Sequence, residues 1–306
     1  MTIKTHLRNT AVKALCESMT VRTMIQLARE CIHNYDLHQR TGLPESISIP
    51  TADAAKQIVD DICRLELFTQ FVQLLIQAQN KGFQGRKYPI AYLSYIIHGL
   101  QTHGYLFDSE NNMFIEDPRL GQTLNWGVLR EGQEYNLTFL RFDISDNSRL
   151  VRSYPEKTIK KAYHDLFTIV TKAIEKRNGR VWNLQGDGGL VAFCFCKKDL
   201  SAVLSAVEIL HELFLYNKLD SPLKEPLEVR FAVHAGVYVF NNNTEALKKW
   251  ETIKELAEIE SKYTKPNSVT ISNKVYIAID KRMADLFYPL EQKSHNALFN
   301  YELNLE

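Results

Sequence analysis

From residue 137 to residue 239 the apolar pattern runs strand, helix, hairpin, helix, strand, and this order restricts the fold more than any other property of the chain. Leu137-Thr-Phe-Leu-Arg-Phe-Asp-Ile144 reads as a strand and residues 155–177 as a helix. Residues 180–195 read as two short strands around a glycine-rich turn, 199–217 as a helix and 227–239 as a strand. The series is the split βαβ pattern, so an antiparallel or mixed sheet covered by helices is expected, an α+β fold. A charged helix over 245–263, a strand over 268–271, a short helix near 274–286 and a terminal strand near 298–303 extend it.

Upstream the period is helical. Residues 5 to about 35 carry apolar side chains at helical spacing, broken between His38 and Thr51 by Gly42, Pro44 and Pro50. Asp53 is placed to cap the next helix, whose apolar positions run from Ile58 to Leu75, and Pro89 starts another that reaches Leu100. Tyr105-Leu-Phe and Met113-Phe-Ile flank a polar turn and predict a small hairpin. A chain of 306 residues exceeds one typical domain. The polar segment Arg130-Glu-Gly-Gln-Glu134 is the natural boundary, giving a mainly helical domain over 1–130 and an α+β domain over 131–306.

The charge balance, 37 Lys and Arg against 36 Asp and Glu, supplies no overall pull towards nucleic acid or an acidic membrane. Five cysteines, at 16, 31, 63, 194 and 196, do not form the framework of a small secreted protein, and no C-x-x-C pair suggests zinc. The N-terminal residues lack a signal-type apolar core, and no stretch has the roughly 20 apolar residues of a membrane helix. A soluble cytoplasmic protein is expected.

Asp143 ends the first strand in Phe-Asp-Ile-Ser, and Asp187 sits in the turn Gln-Gly-Asp-Gly-Gly between Val181-Trp182 and Leu190-Val-Ala-Phe193. If these strands lie side by side, both carboxylates reach one divalent-metal site. Hard cations such as Mg²⁺ take carboxylate oxygens together with substrate phosphates, so the pair points to phosphoryl chemistry on a nucleotide. An isolated Gly-Asp-Gly is more often a plain hairpin turn; the second aspartate and the strand order reverse that reading towards a site. Trp182 and Asn183 alternate, which expects Trp182 in the core on the face opposite Asn183. His234, on an apolar strand, is expected as a satisfied core histidine rather than a general base.

From about Asn136 onward these segments resemble the class III nucleotide cyclase catalytic domain, the family of adenylate and guanylate cyclases. Phe142-Asp-Ile-Ser145 is similar to its first metal-aspartate segment, and Gly179-Arg-Val-Trp-Asn-Leu-Gln-Gly-Asp-Gly-Gly-Leu-Val-Ala-Phe193 to the second. Arg230-Phe-Ala-Val-His-Ala-Gly236 is similar to a later strand, and residues 259–272 to the helix, turn and strand after it. The resemblance implies a ferredoxin-type βαββαβ sandwich and a homodimer acting on a nucleoside triphosphate. It also implies two divalent ions, Mg or Mn, held by Asp143, Asp187 and the main-chain carbonyl of Ile144. The ribose 3′-hydroxyl would attack the α-phosphate and expel pyrophosphate, with Gly186 and Gly188 among the bare main-chain positions beside phosphate.

The chain departs from that pattern where the base and the transition state are read. Asn183 stands three residues before the Gly-Asp motif, where adenylate cyclases commonly have Lys and guanylate cyclases Glu. A neutral amide both donates and accepts, so it is compatible with a pyrimidine base; some cyclases resembling this family, including bacterial antiphage enzymes, make cyclic UMP or cyclic CMP. Where the family places Asn and, four residues on, Arg, this chain has Lys254 and Glu258, which leaves Lys254 as the candidate catalytic cation. Lys293 is similar to the lysine that contacts the triphosphate in many relatives. The altered helix favours a second reading, a catalytically silent cyclase-like module that binds nucleotide or a partner. A DNA-binding role through the basic loop Lys81–Lys87 is a weaker third.

Overall fold

Local capping divides the first apolar stretch into a pair of helices, with a short third helix after it. Helix α1 (Thr5–Ser18) gives way to α2 (Val21–Cys31), because Thr20 turns out of helical conformation and its side chain accepts from the N–H of Thr23. Asp36 does the same for α3 (Leu37–Thr41), accepting from His38 and Gln39, and Gly42 closes that helix in the left-handed region. These helices open a computed structural model that describes residues 3–109, 112–121, 123–195, 197–241, 249–291 and 297–303. The chain divides into two compact units, Met1–Gly121 and Gln122–Glu306.

The rest of the first unit comprises α4 (Thr51–Arg64), α5 (Phe68–Asn80), α6 (Leu93–Gln101) and a hairpin of β1 (Tyr105–Asp108) and β2 (Met113–Glu116). Asp53 is not the cap expected of it: α4 starts after Pro50, and Asp53 lies in the first turn, where it favours the helix dipole. The single helix expected through residues 58–75 is two, parted at Glu66, whose φ of 57° no helix continues through. Helix α6 begins at Leu93 rather than at Pro89, behind a left-handed Tyr92. Leu7, Leu15, Ile58, Ile62, Phe71, Leu75 and Leu100 share one core.

The second unit begins nine residues before Glu131, because Trp126 and Leu129 are buried with the sheet's own aromatic side chains. Its elements are β3 (Glu134–Ile144), α7 (Asn147–Ser153), α8 (Glu156–Glu175), β4 (Arg180–Gln185), β5 (Gly188–Phe193), α9 (Lys198–Leu219) and β6 (Val229–Val239). There follow α10 (Glu251–Glu258), running into one wide π turn (Ile259–Tyr263), then β7 (Ser268–Ser272), α11 (Asn273–Tyr276), α12 (Lys281–Ala284), β8 (Tyr288–Pro289) and β9 (Leu298–Glu302). The sheet order is β4-β5-β3-β6-β7-β9-β8, parallel only between β6 and β7. The βαββαβ series therefore stands as expected, with β3 and β6 in the middle; α7 and the two-residue β8 were not foreseen.

Alternation along β3 sorts the two faces. Leu140, Phe142 and Ile144 join Leu166, Val170, Ile209 and Leu213 of α8 and α9. Leu137 and Phe139 join Trp126, Trp182, Tyr238, Ile253, Leu256 and Ile259 on the other side. Arg141 and Asp143 lie on that second face, beneath the π turn.

A buried carboxylate organises the first unit. Asp61 accepts from Tyr35 Oη at 2.9 Å, from Arg40 Nε and Nη2 at 3.1 and 2.7 Å, from Gln57 at 3.0 Å and from Arg64. Burial alone would raise its pKa, but these donors hold it down at about 2. Since the unfolded carboxyl titrates near ~3.9, the stabilisation is complete above that pH and is lost as pH falls through about 2. Asp61→Asn is expected to cost roughly 3–5 kcal/mol and to flatten the fall in melting temperature between about pH 4 and pH 2. Circular-dichroism melts across that range check it, and an unchanged melt in the variant would remove the network from the stability of this unit.

Candidate active site

Gln185 pairs with Gly188, leaving Gly186-Asp187 as a two-residue turn. Gly186 has φ +59° and is the first central residue, the place where a II′-type turn takes glycine. On the next strand Asp143 pairs with Gly188, and the N–H of Ile144 donates to the main-chain oxygen of Asp187 at 3.2 Å. Asp143, Ile144, Gly186, Asp187 and Gly188 are thus brought together where β3 ends and the hairpin turns. A Cβ at position 188 would lie 2.5 Å from Phe142 O and 3.0 Å from Asp143 Oδ1, so a bare main chain is what admits the Asp143 carboxylate. The hydroxyl of Tyr163 on α8 donates to Asn147 Oδ1, and burial and then the charges of Asp187 and Asp143 raise its pKa.

Asp143 carries a counter-ion from the opposite neighbour. It also pairs with Arg230 of β6, whose Nη2 donates to Asp143 Oδ2 at 2.5 Å. Arg230 Nε lies 2.9 Å from Oε1 of Glu260 in the π turn, and Arg141 Nε donates to Glu260 Oε2 at 3.1 Å. The Glu260 side chain is 3% exposed. Burial pushes its pKa up and Asp143 adds to that, while Arg141 and Arg230 pull it down. None of the three partners was singled out in sequence. Arg230 carried a partial signal, a cation near the start of an apolar strand; a buried glutamate inside a charged helix carried none.

Asn183 is half-buried opposite Leu190, but its relation to Trp182 differs from simple alternation. A β-bulge between Val181 and Asn183 leaves Trp182 without a strand partner. Trp182 is buried as expected, its Nε1 donating to Leu124 O at 3.0 Å and its ring against Phe139 and Tyr238. Lys254 is on the outer side of α10, which buries Thr252, Ile253 and Leu256; its Nζ is 3.6 Å from Glu251 and its side chain is 57% exposed. The described contacts do not bring it to the two aspartates. Glu258 pairs outward with Lys262 at 2.8 Å. Lys293 lies outside the described residues.

His234 is buried, with Nε2 2.9 Å from Glu255 Oε2, but neither ring nitrogen has an aligned hydrogen bond among the described residues. Burial, and then the charge of Lys274, lower its pKa to about 4, so it is neutral at neutral pH.

The donors at the end of β3 fit a hard cation in kind: two carboxylates and main-chain carbonyls, all oxygen. Among the described residues no cluster of three or more His, Cys, Asp or Glu side chains holds a metal on its own. Two carboxylates leave most of an octahedral shell to substrate oxygens and water. No described helix is long and apolar enough to cross a membrane.

Solved cyclase domains are similar to this chain. The guanylyl cyclase Cya2 is 19% identical with a TM-score of 0.47, covering 56% of this chain and 93% of that one. The guanylate cyclase domain of RhGC from Catenaria anguillulae, in complex with GTP, is 15% identical with a TM-score of 0.46, covering 55% and 97%. The adenylyl cyclase CyaB from P. aeruginosa is 14% identical with a TM-score of 0.46, covering 57% and 96%. No protein-family model and no curated protein matches the chain in sequence.

The two turn glycines are expected to respond differently to a methyl group. Gly186→Ala meets no atom within 4 Å and costs only the left-handed backbone, about 1–2 kcal/mol. Gly188→Ala drives a Cβ into Phe142 O, so it is expected to cost about 1–3 kcal/mol and also to displace the Asp143 carboxylate. Thermal melts with and without Mn²⁺ separate them: Gly186→Ala should keep any Mn²⁺-induced rise in melting temperature, and Gly188→Ala should lose it.

Proposed function

We propose that the second unit is a nucleotide cyclase, converting a nucleoside triphosphate to a 3′,5′-cyclic nucleotide and pyrophosphate. The observation that carries this reading is the meeting of Asp143 and Asp187 at the ends of paired strands, beside a glycine whose missing side chain leaves room for an Asp143 oxygen. Asp143, Asp187 and the carbonyl of Ile144 would hold two divalent ions, Mg or Mn. Bound there, the ions would offset charge on the attacking 3′-oxygen and on the leaving pyrophosphate.

The chain's own residues divide the remaining work. The bare main chain at Gly186 and Gly188 allows phosphate oxygens to approach, since no Cβ stands in the way. Asn183 reads the base edge as both donor and acceptor, which suits uracil or cytosine as well as a purine. Lys254, and Lys293 if it reaches the triphosphate, supply positive charge. Lys254 points outward within its own chain, so its catalytic use requires a second copy, and we propose a homodimer on that ground. We likewise propose a cytoplasmic location, where nucleoside triphosphates are plentiful.

Purified protein incubated separately with ATP, GTP, CTP and UTP, with Mn²⁺ and with Mg²⁺, is expected to release pyrophosphate and one or more cyclic nucleotides. Asp143→Asn and Asp187→Asn keep shape but remove charge, and each is expected to abolish product while leaving the melting curve within a few degrees of wild type. Full turnover in either variant removes the two-carboxylate site. No product with any nucleotide favours instead a silent module that binds without turnover.

Asn183→Ala is expected to shift the ratio of kcat/KM between nucleotides by an amount equivalent to about 0.5–1.5 kcal/mol, the worth of one neutral hydrogen bond. An unchanged ratio would show that Asn183 does not read the base.

A further inference from the structure

Glu260 is buried at the foot of α10, and the way it shares Arg230 with Asp143 is uneven. Arg230 Nη2 is in a short, charge-assisted hydrogen bond to Asp143 Oδ2 at 2.5 Å. Its Nε is 2.9 Å from Glu260 Oε1, but the two atoms are not aligned as donor and acceptor. Both are buried without a hydrogen bond among the described residues. Unpaired buried polar atoms are costly, and here one donor and one acceptor face each other across an ion-pair distance. Turning the guanidinium towards Glu260 would satisfy both while withdrawing it from Asp143.

We propose that Arg230 is a two-position latch on the metal-binding carboxylate: without a cation it neutralises Asp143, and when a divalent ion takes Asp143 it moves to a waiting seat on Glu260. The inference rests on the two-carboxylate reading above. Without Arg230 or a metal, Asp143 would present an unneutralised carboxylate, 22% exposed, at the end of β3. With both at once, a guanidinium and a divalent ion would compete for the same carboxylate oxygen. Glu260 resolves the conflict because it is anchored independently by Arg141, at 3.1 Å, and so keeps its position whichever way Arg230 turns. Arg230 and Glu260 are positioning residues that act through Asp143.

The test is Mn²⁺ binding to the full chain without nucleotide, read as loss of the free Mn²⁺ paramagnetic resonance signal and as the shift in melting temperature. Asp143→Asn is expected to weaken binding at least tenfold. Arg230→Gln removes the competitor and is expected to tighten Mn²⁺ three- to tenfold, whereas Arg230→Lys retains a charge and stays near wild type. Glu260→Gln removes the alternative seat and is expected to weaken binding by a similar factor, and in the Arg230→Gln/Glu260→Gln double variant that weakening is expected to vanish. This non-additivity is what a merely structural pair would not produce. If Arg230→Gln alone fails to fold because Glu260 is left with half its partners, the double variant carries the test, since it removes both charges together.

Equal or weaker binding in the folded Arg230→Gln variant, or in the double variant where Arg230→Gln does not fold, with Asp143→Asn still deficient, overturns the latch and leaves the carboxylate site standing. Binding by Asp143→Asn equal to that of wild type overturns the site and the latch with it.

Discussion

The antiparallel pairing of β3 with β5 on one side and β6 on the other is the constraint on which the second unit depends. Side chains packed on both faces of β3 then make the register strict, because a one-residue slip would exchange Leu140, Phe142 and Ile144 with Leu137, Phe139 and Arg141. That register sets Asp143 between Gly188 and Arg230. One neighbour has no side chain and the other has a guanidinium, so the carboxylate is given room on one side and a counter-charge on the other.

The two units use one electrostatic device with different consequences. In each, a carboxylate is taken out of water and held by two arginines, Asp61 by Arg40 and Arg64, and Glu260 by Arg141 and Arg230. A buried charge survives only when donors replace the water it has lost. For Asp61 several donors converge, two of them from one arginine fork, and the group is held ionised far below its usual range. For Glu260 burial has the upper hand and the pKa rises, because one of its arginines is turned mainly to Asp143. The first arrangement fixes a helical core; the second leaves an arginine with two places to go.

Helix α10 explains why the cation-bearing helix and the carboxylates separate within one chain. Its inner side is taken by Thr252, Ile253 and Leu256, and Gly236 on β6 lets it come close, a Cβ there falling 2.6 Å from Thr252 Oγ1. With that side committed to packing, Lys254 and Glu258 have only the outer side left. An outward lysine paired with Glu251 is what a solvated helix surface produces, and it is equally what a surface shared with a second copy would present.

Much of this was legible from residue order. Periodicity separated a helical first unit from a βαββαβ second unit, because a helix with one buried face and a strand with alternating faces leave different spacings in the chain. Asp143 and Asp187 stood out because a carboxylate at a strand end and another in a glycine turn are local patterns, and glycine at 186 answers a local backbone need. Finer features depended on forces that act between distant residues. The bulge at Trp182 follows from seating an indole among Trp126, Phe139 and Tyr238, and the start of the second unit at residue 122 rather than 131 follows from the burial of Trp126. The pairing of Arg230 with Asp143 and of Arg141 with Glu260 joins residues 87 and 119 positions apart. Sequence determined which side chains could carry charge and which strands they ended; only the tertiary structure decided which charges meet, because desolvation makes a buried carboxylate depend on partners that no local spacing specifies.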